Sequence, residues 1–405
     1  MKRIRNNIHI LLVVENNQVP MDTRVWKEAQ ALREKGFNVS VICPNKNKDK
    51  NYKKLGEVEI HQYYNPFIKG TSILSILGEY LFTIFPLLFY SLKIYIKKPF
   101  SIIHIANPPD FLVILFLPFK LFGIKIVFDH HDLSPELFIE KFGEKNFFFK
   151  LLLICEKLSY KLADVIITTN NSIKDTCIKR NKVSKNKVFV IRNGPDLNEI
   201  KNLYRVKDNL RRGKKYLIGY VGNIDSQDSL EKLVASIEYI VKERKFDDFR
   251  VLIIGDGNYR TKIEDIVQQK SLQEYFIFYG SEYNRKKLFS LLSKIDIGVE
   301  PSRETEKFSK STSTKVMEYM ALGKPVIQYN SLEGIFTAGK ASLFIKNNDE
   351  RNFGDAIIYL LKDKKRRKEM GEYGKRRVKK VLQWNIEKEK LLNLYTEKLL
   401  NIKIN

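Results

Sequence analysis

Short apolar runs rich in β-branched residues alternate with amphipathic stretches along almost the whole chain. That alternation restricts the fold more than any other feature. The expected strands of the first half are Ile8–Val14, Asn38–Cys43, Val58–Gln62, Ile102–Ile105, Lys125–Phe128, Val165–Thr168 and Val188–Ile191, with helical patterns at Asp22–Lys35, Glu136–Leu162 and Ser172–Arg180. The pattern restarts with strands at Tyr216–Val221, Arg250–Ile254, Phe276–Tyr279, Ile295–Val299, Pro325–Ile327 and Ser342–Ile345. Helices are expected among them at Ser229–Arg244, Tyr259–Gln269, Arg285–Ser293, Thr314–Leu322 and Asn352–Leu361. Such alternation builds parallel sheets covered by helices on both faces. A chain of 405 residues is also too long for one ordinary core. The fold class is therefore α/β, with two Rossmann-like doubly wound domains facing a cleft. The expected domains are 1–200 and 201–380, joined near the basic Leu197–Lys215, with 381–405 as a last helix packing back on the first domain.

Charge narrows the partners. The 72 Lys and Arg against 47 Asp and Glu leave a net charge of +25, a field that attracts polyanions. Part of the excess lies in Lys362–Lys380, which holds eleven basic and three acidic residues. A solvated helix face and a surface for anionic membrane both fit this segment, the latter gaining about 1 kcal/mol per basic residue near lipid. Nucleic acid is not expected, because zinc-finger spacing and RNP-like aromatic motifs are absent. The cysteines Cys43, Cys155 and Cys177 are scattered, which fits a reducing cytoplasm better than a disulfide framework.

Two apolar segments raise the question of a membrane. The run Ile8–Val14 is short, contains His9 and lacks a small-residue cleavage site, so a buried first strand is expected rather than a signal peptide. Ser72–Ile96 is apolar but interrupted by Glu79, Pro86 and Lys93. It reads as a spanning helix, a core helix with an exposed apolar side, or a helix dipping into the bilayer surface.

Candidate site residues lie in the loops after the strands, where doubly wound folds bind ligands. After the first strand there is no GxGxxG, so a dinucleotide fingerprint is absent. Asp22 and Arg24 open the first helix there, Asp22 as a cap and Arg24 as a side chain able to reach a phosphate or acceptor. The motif "FDHHDLSPELF" places Asp129, His130, His131 and Asp132 at the end of a strand, with Ser134 expected to cap the next helix. Adjacent histidines on extended backbone point apart and chelate poorly, so a contact to sugar or acceptor is expected and no metal. In "GYVGNIDSQDSLEKL", Gly222 lets the backbone approach a ligand closely.

The stretch "KSTSTKVMEYMALGKPVIQY" is the most informative. A helix N-terminus carries unpaired N–H groups and a positive dipole end, so it suits an anion. Ser311, Thr312 and the following hydroxyls are expected to cap that end, and their amides suit a phosphate. Lys315 in the first turn is unfavourable against the dipole unless an anion compensates it. Glu318 follows at i+3, so a simple surface Lys–Glu pair is the bland alternative. Val316 and Met320 form a separate core stripe, and Gly323 with Pro325 ends the helix.

Together with "IIGDGNYR", "VIRNGPDL" and "MDTRVWKEAQALREKGFNVSVICP", these motifs resemble the retaining GT-B glycosyltransferases of family GT4, from about Ile8 to Trp384. Enzymes of bacterial capsule, exopolysaccharide or O-antigen assembly form the most similar subgroup. The resemblance implies a nucleotide-sugar donor, with UDP-sugar the first expectation, bound by the second domain. It also implies an acceptor bound by the first domain and no cofactor or metal. It assigns catalytic roles to His131, Glu318 and Lys315. Donor binding falls to Gly222, Asn223, Lys310, Ser311, Thr312, Lys315 and Glu318, and the acceptor side to Asp22, Arg24, His130 and Asp132. Glu318 matches the second glutamate of the E-x7-E motif; Lys310 stands where the first belongs. Asn223 and Asp228 stand near the usual basic residues after "GYVG" and do not neutralise a diphosphate, which leaves that charge to Lys315.

These features imply sugar transfer to a lipid-linked or glycan acceptor by a cytoplasmic protein peripheral to the inner face of the plasma membrane, with an anionic membrane surface as partner. A nucleotide-sugar epimerase of the same architecture and a non-catalytic nucleotide-sugar-binding partner are the alternatives.

Overall fold

The computed structural model describes residues 8–45, 52–66, 72–143, 145–204 and 209–401. Residues 205–208 of the expected linker, residue 144 of the expected long helix and residues 402–405 lie outside the described residues. The chain divides into two units, Met1–Arg192 with Lys388–Asn405 and Asn193–Glu387. The boundary between the units falls at Arg192–Asn193, just before the expected joining region.

The first unit holds one sheet built from β1 (His9–Val13), β2 (Asn38–Asn45), β3 (Tyr52–Leu55), β4 (Val58–Tyr64), β5 (Ile102–Ala106), β6 (Lys125–His130), β7 (Val165–Thr168) and β8 (Val188–Val190). Their order is β3-β4-β2-β1-β5-β6-β7-β8. All neighbours are parallel except β3, which pairs antiparallel with β4 from Tyr52–His61 to Leu55–Val58. Strand β3 escaped the sequence reading because its "YKKL" sits on an exposed edge and carries no apolar alternation. The strand order reverses between β1 and β5. In doubly wound sheets ligands gather at the carboxyl ends of the strands flanking such a reversal.

The second unit holds β9 (Tyr216–Val221), β10 (Phe249–Ile254), β11 (Phe276–Gly280), β12 (Ile297–Glu300), β13 (Val326–Tyr329) and β14 (Ser342–Ile345), all parallel, in the order β11-β10-β9-β12-β13-β14. Here the reversal lies between β9 and β12. Successive residues of β10 pack to opposite sides: Val251 and Ile253 join one core, Leu252 and Ile254 the other. Burial on both faces is why these strands read as continuous apolar runs without period-2 alternation.

Two helices differ from expectation. The stretch expected as Glu136–Leu162 is two helices, Ser134–Phe142 and Phe147–Leu162. Gly143, left-handed at φ 76°, ends the first, and Asn146 caps the second through the amides of Phe148 and Phe149. Ser134 does not cap; its hydroxyl donates to Asp110 Oδ1 at 3.1 Å.

Ser72–Ile96 becomes the helix Ile73–Lys97, which continues through Pro86. Its narrow buried side, with Leu87 and Ile94, packs into the first unit's core, and Thr83 Oγ1 donates to Glu15 at 2.9 Å. The broad side is exposed: Leu74, Leu81, Phe82, Phe85, Phe89, Leu92 and Ile96 all face outward, Phe85 at 75% and Ile96 at 82% exposure. Among the described residues it is the one helix long and apolar enough to cross a membrane.

Candidate functional site

In the second unit a compact polar cluster lies at the carboxyl ends of β9 and β12. The helix Thr314–Ala321 begins beside it and sends Lys315 over Gly222. Gly222 has φ +149°, and an added Cβ there would stand 3.0 Å from Lys315 Cε. The backbone conformation there favours a glycine, and a side chain would crowd the lysine. The Lys315 ammonium lies 3.2 Å from Glu300 Oε2 and 3.4 Å from Asp228 Oδ1, and 4.5 Å from the centre of the Tyr220 ring. Glu300 also accepts from Ser302 Oγ at 2.6 Å and Ser313 Oγ at 2.5 Å.

Electrostatics at this cluster follow from burial and pairing. Burial alone would lower the Lys315 pKa, but Glu300 and then Asp228 hold it above its ordinary value. Burial would raise Glu300; Lys315 and its hydroxyl donors hold it below the usual carboxylate range. Asp228 stays raised, because burial outweighs its longer pair to Lys315.

Lys315, the expected counter-charge for a phosphate, is already flanked by two carboxylates. Two expected caps are corrected here. Ser313 occupies the N-cap position of the helix, yet its hydroxyl donates to Glu300 instead of capping. Ser311 ends the preceding short helix Glu306–Lys310, and its hydroxyl donates to Lys307 O, so it does not cap the Lys315 helix either. Glu318 does not pair with Lys315: Arg285 Nη2 reaches Glu318 Oε1 at 2.6 Å, while Arg285 Nε reaches Glu199 at 3.1 Å. The bland reading as a surface Lys–Glu pair fails with it. Lys310 pairs with Glu306 at 2.8 Å, and Asn223 is exposed with its carbonyl accepting from the Tyr220 hydroxyl. Val316 and Met320 are buried, and Gly323 follows the helix at φ 69°, as its sequence suggested. Glu300 and Arg285 were missed; an acidic residue closing the buried "IGVE" run was the one available signal.

In the first unit the loop after β6 is built on Asp129. Arg24 Nη2 lies 2.8 Å from Asp129 Oδ1 and 3.2 Å from Glu28 Oε1, and its Nη1 donates to Ile191 O at 2.9 Å. His131 Nε2 meets Asp129 Oδ2 at 2.5 Å, and His104 Nε2 approaches the same oxygen at 3.3 Å. Although burial would lower it, Asp129 holds the His131 imidazole above its ordinary pKa. Arg24 Nε donates to the same Asp129 oxygen at 3.0 Å.

Arg24 is therefore corrected from a ligand-reaching side chain to a fully engaged core cation. Asp22 caps its helix as expected, accepting from the amides of Arg24 and Val25. His130 is corrected too: it points into the core, where its Nδ1 meets the Tyr160 hydroxyl at 2.7 Å and Cys177 Sγ at 3.4 Å. Burial pushes its pKa down to about 3, so it is neutral. Period-2 alternation along β6 explains the split, with His130 inward and His131 partly exposed. Asp132 lies beside His131, held through its backbone: the Asn107 side chain accepts from the amides of both residues and donates to the Asp132 carbonyl at 2.8 Å.

Among the described residues, two groups have metal-like composition, Glu28–His104–Asp129 and His130–Glu156–Cys177. The Arg24 guanidinium already bridges the first set, and Arg180 with Asn181 binds Glu156 in the second.

Each unit is thus a doubly wound α/β domain whose polar cluster sits at its sheet's reversal. Known proteins agree. The model of Glycosyltransferase Family 4 matches residues 21–199 and that of Glycosyl transferases group 1 matches residues 200–377. The chain is 25% identical over 272 residues to the capsular polysaccharide biosynthesis glycosyltransferase CapM of Staphylococcus aureus, covering 62% of this chain and 66% of CapM. The chain spans less than two thirds of the length of the first curated relatives it matches. Sucrose-phosphate synthase from Thermosynechococcus elongatus has the same fold, with a TM-score of 0.78 at 18% identity over 97% of this chain and 100% of that one. The Anabaena HepE protein in complex with UDP-glucose superposes with a TM-score of 0.71 at 12% identity, over 98% and 100% of the two chains. The chain belongs to the GT-B glycosyltransferases of family 4.

Proposed function

We propose that the protein is a retaining, metal-independent glycosyltransferase of surface polysaccharide assembly. It moves a hexosyl or N-acetylhexosaminyl group from a nucleotide sugar, UDP-linked in the first instance, to a lipid-linked glycan at the inner face of the plasma membrane. The second unit takes the donor and the first unit the acceptor. The observation that carries this reading is the Lys315 cluster: a buried ammonium at a helix N-terminus, directly over Gly222, at the reversal of a β11-β10-β9-β12-β13-β14 sheet. The description of HepE in complex with UDP-glucose supports the donor class.

In this reaction the bond from the anomeric carbon to the diphosphate oxygen breaks, and a bond to the acceptor oxygen forms on the same face. The acceptor proton leaves with the diphosphate. Lys315 and the amides of the helix tip stabilise that developing charge, which is worth roughly 3–4 kcal/mol per well-placed donor. Diphosphate entry displaces Asp228, the weaker of the two carboxylates on Lys315. His131, steadied by Asp129, contacts the reacting sugars, and Glu318 meets the donor sugar or ribose once Arg285 yields it.

A thermal-shift screen of UDP-, GDP-, ADP- and dTDP-sugars, followed by NMR of the product linkage with the best binder, tests the reading. A retained anomeric configuration is expected; inversion, or the absence of any shift, overturns it. The pair Glu300 and Asp228 beside Lys315 also suits acid–base chemistry, so the same NMR run without acceptor checks for an epimerised donor.

A further inference from the structure

A cavity of about 620 Å³ opens in the first unit at the reversal of its sheet, where the loops after β1, β5 and β6 meet. That volume lies within the range of ordinary small-molecule sites, roughly 300–1,000 Å³. Its wall is mostly apolar, with Leu77 and Ile84 of the helix Ile73–Lys97, Leu137 of the helix Ser134–Phe142, and Phe148 and Leu152 of the helix Phe147–Leu162. Its polar lining includes Glu15, Asp110 and Ser134.

Three observations point to an amphipathic occupant. The apolar wall continues onto the exposed face of the helix Ile73–Lys97 through Leu81, which lines the cavity and is 69% exposed. Asp110 is buried, and its Oδ2 has no hydrogen-bond partner, while Oδ1 accepts from Asn107 and Ser134. Asn107 in turn accepts from the backbone amides of His131 and Asp132, so Asp110 is linked to the acceptor-side loop. Burial holds the Glu15 and Asp110 carboxyls up at about 8 and 7. Glu15 therefore carries its proton near neutral pH and can donate to an anionic head instead of repelling it.

Resting on the reading of a lipid-linked acceptor, we infer that this cavity holds the hydrocarbon chain of that acceptor. Its head would then lie by Glu15 and Asp110, near the His131 loop. One amphiphile accounts for both the apolar wall and its polar groups; a bulk bilayer accounts only for the exposed helix face.

The test is binding of geranyl, farnesyl and geranylgeranyl phosphate, with inorganic phosphate as the tail-free probe, to the full-length protein by calorimetry in detergent-free buffer. Affinity should rise with chain length, and each of Leu77→Trp and Leu152→Trp should weaken farnesyl phosphate by about tenfold or more. Leu137→Trp, on a different helix, keeps the test decisive should either variant fail to fold. Flotation on anionic vesicles and nucleotide-sugar binding should stay as in wild type. Binding that is independent of chain length, or filled variants that bind as wild type, overturns the inference. So does loss of vesicle flotation in parallel with the isoprenyl phosphates, which would assign the cavity to ordinary bilayer lipid. Transfer to a tail-free soluble glycan separates the two claims. If it proceeds without any tail binding, the inference fails and the function stands; tail binding without transfer from any nucleotide sugar does the reverse.

Discussion

Lys315 shows how one residue serves structure and chemistry together. Removing it leaves Glu300 and Asp228 buried without their cation, a loss of about 3–5 kcal/mol. Chemical denaturation of Lys315→Met should show that drop, and Lys315→Met with Glu300→Gln should recover part of it. Nucleotide-sugar binding should be lost in both, which separates its donor role from its structural one. Glu15 makes a second prediction at this scale. Burial, and then Glu79, raise its carboxyl from 4.5 to about 8 in the folded protein. The stability linked to that proton is complete below the unfolded value of 4.5 and is lost as pH rises to about 8. Urea unfolding near pH 5 and pH 8 should therefore find that Glu15→Gln gains on wild type at the higher pH, by at least ~1 kcal/mol, the worth of one pKa unit.

The helix Ile73–Lys97 carries the prediction at the scale of elements. Seven large apolar side chains face outward along it, and burying each is worth about 1.5–3 kcal/mol. Lys93 and Lys97 stand at its C-terminal end, suited to anionic headgroups. Wild-type protein should float with anionic liposomes at physiological salt, and Leu81→Ser with Phe85→Ser should leave most of it in the soluble fraction. Equal flotation of the two would remove the helix as the contact. This element also marks a limit of sequence reading. Its composition left spanning, core and surface roles open; the hydrogen bond from Thr83 to Glu15 and the packing of Leu87 and Ile94 show that one side belongs to the core.

For the whole molecule, the chain's end belongs to its beginning. The segment Lys388–Asn405 joins the first unit, where Tyr395 is buried with its hydroxyl 2.5 Å from His104 Nδ1. Ending the chain after Glu387 strips that cover from His104 and from the neighbouring Glu28 and Asp129. A thermal melt of the shortened chain should lose the first unit's stability by several degrees, given that 1 kcal/mol shifts Tm by roughly 2–4 °C in domains of about this size. The second unit, Asn193–Glu387, is one unbroken segment, and its nucleotide-sugar affinity should change little. An equal loss from both units would contradict this division.

Local chemistry written in the sequence determined much of this protein. Apolar runs separated by helical periods specified two parallel sheets, and "STSTKVMEYMALGKP" marked the helix start, its buried stripe and its stop. The Asp22 cap was legible because an N-cap depends on neighbours a few residues away. What the side chains of Arg24, His130, Lys315 and Glu318 do was decided only by the tertiary structure. Their partners Asp129, Tyr160, Glu300 and Arg285 lie far along the chain or on a different element, and no local pattern announces which carboxylate will neutralise which cation. Burial then sets the charge each group carries, and burial exists only once the sheet has brought those distant strand ends together.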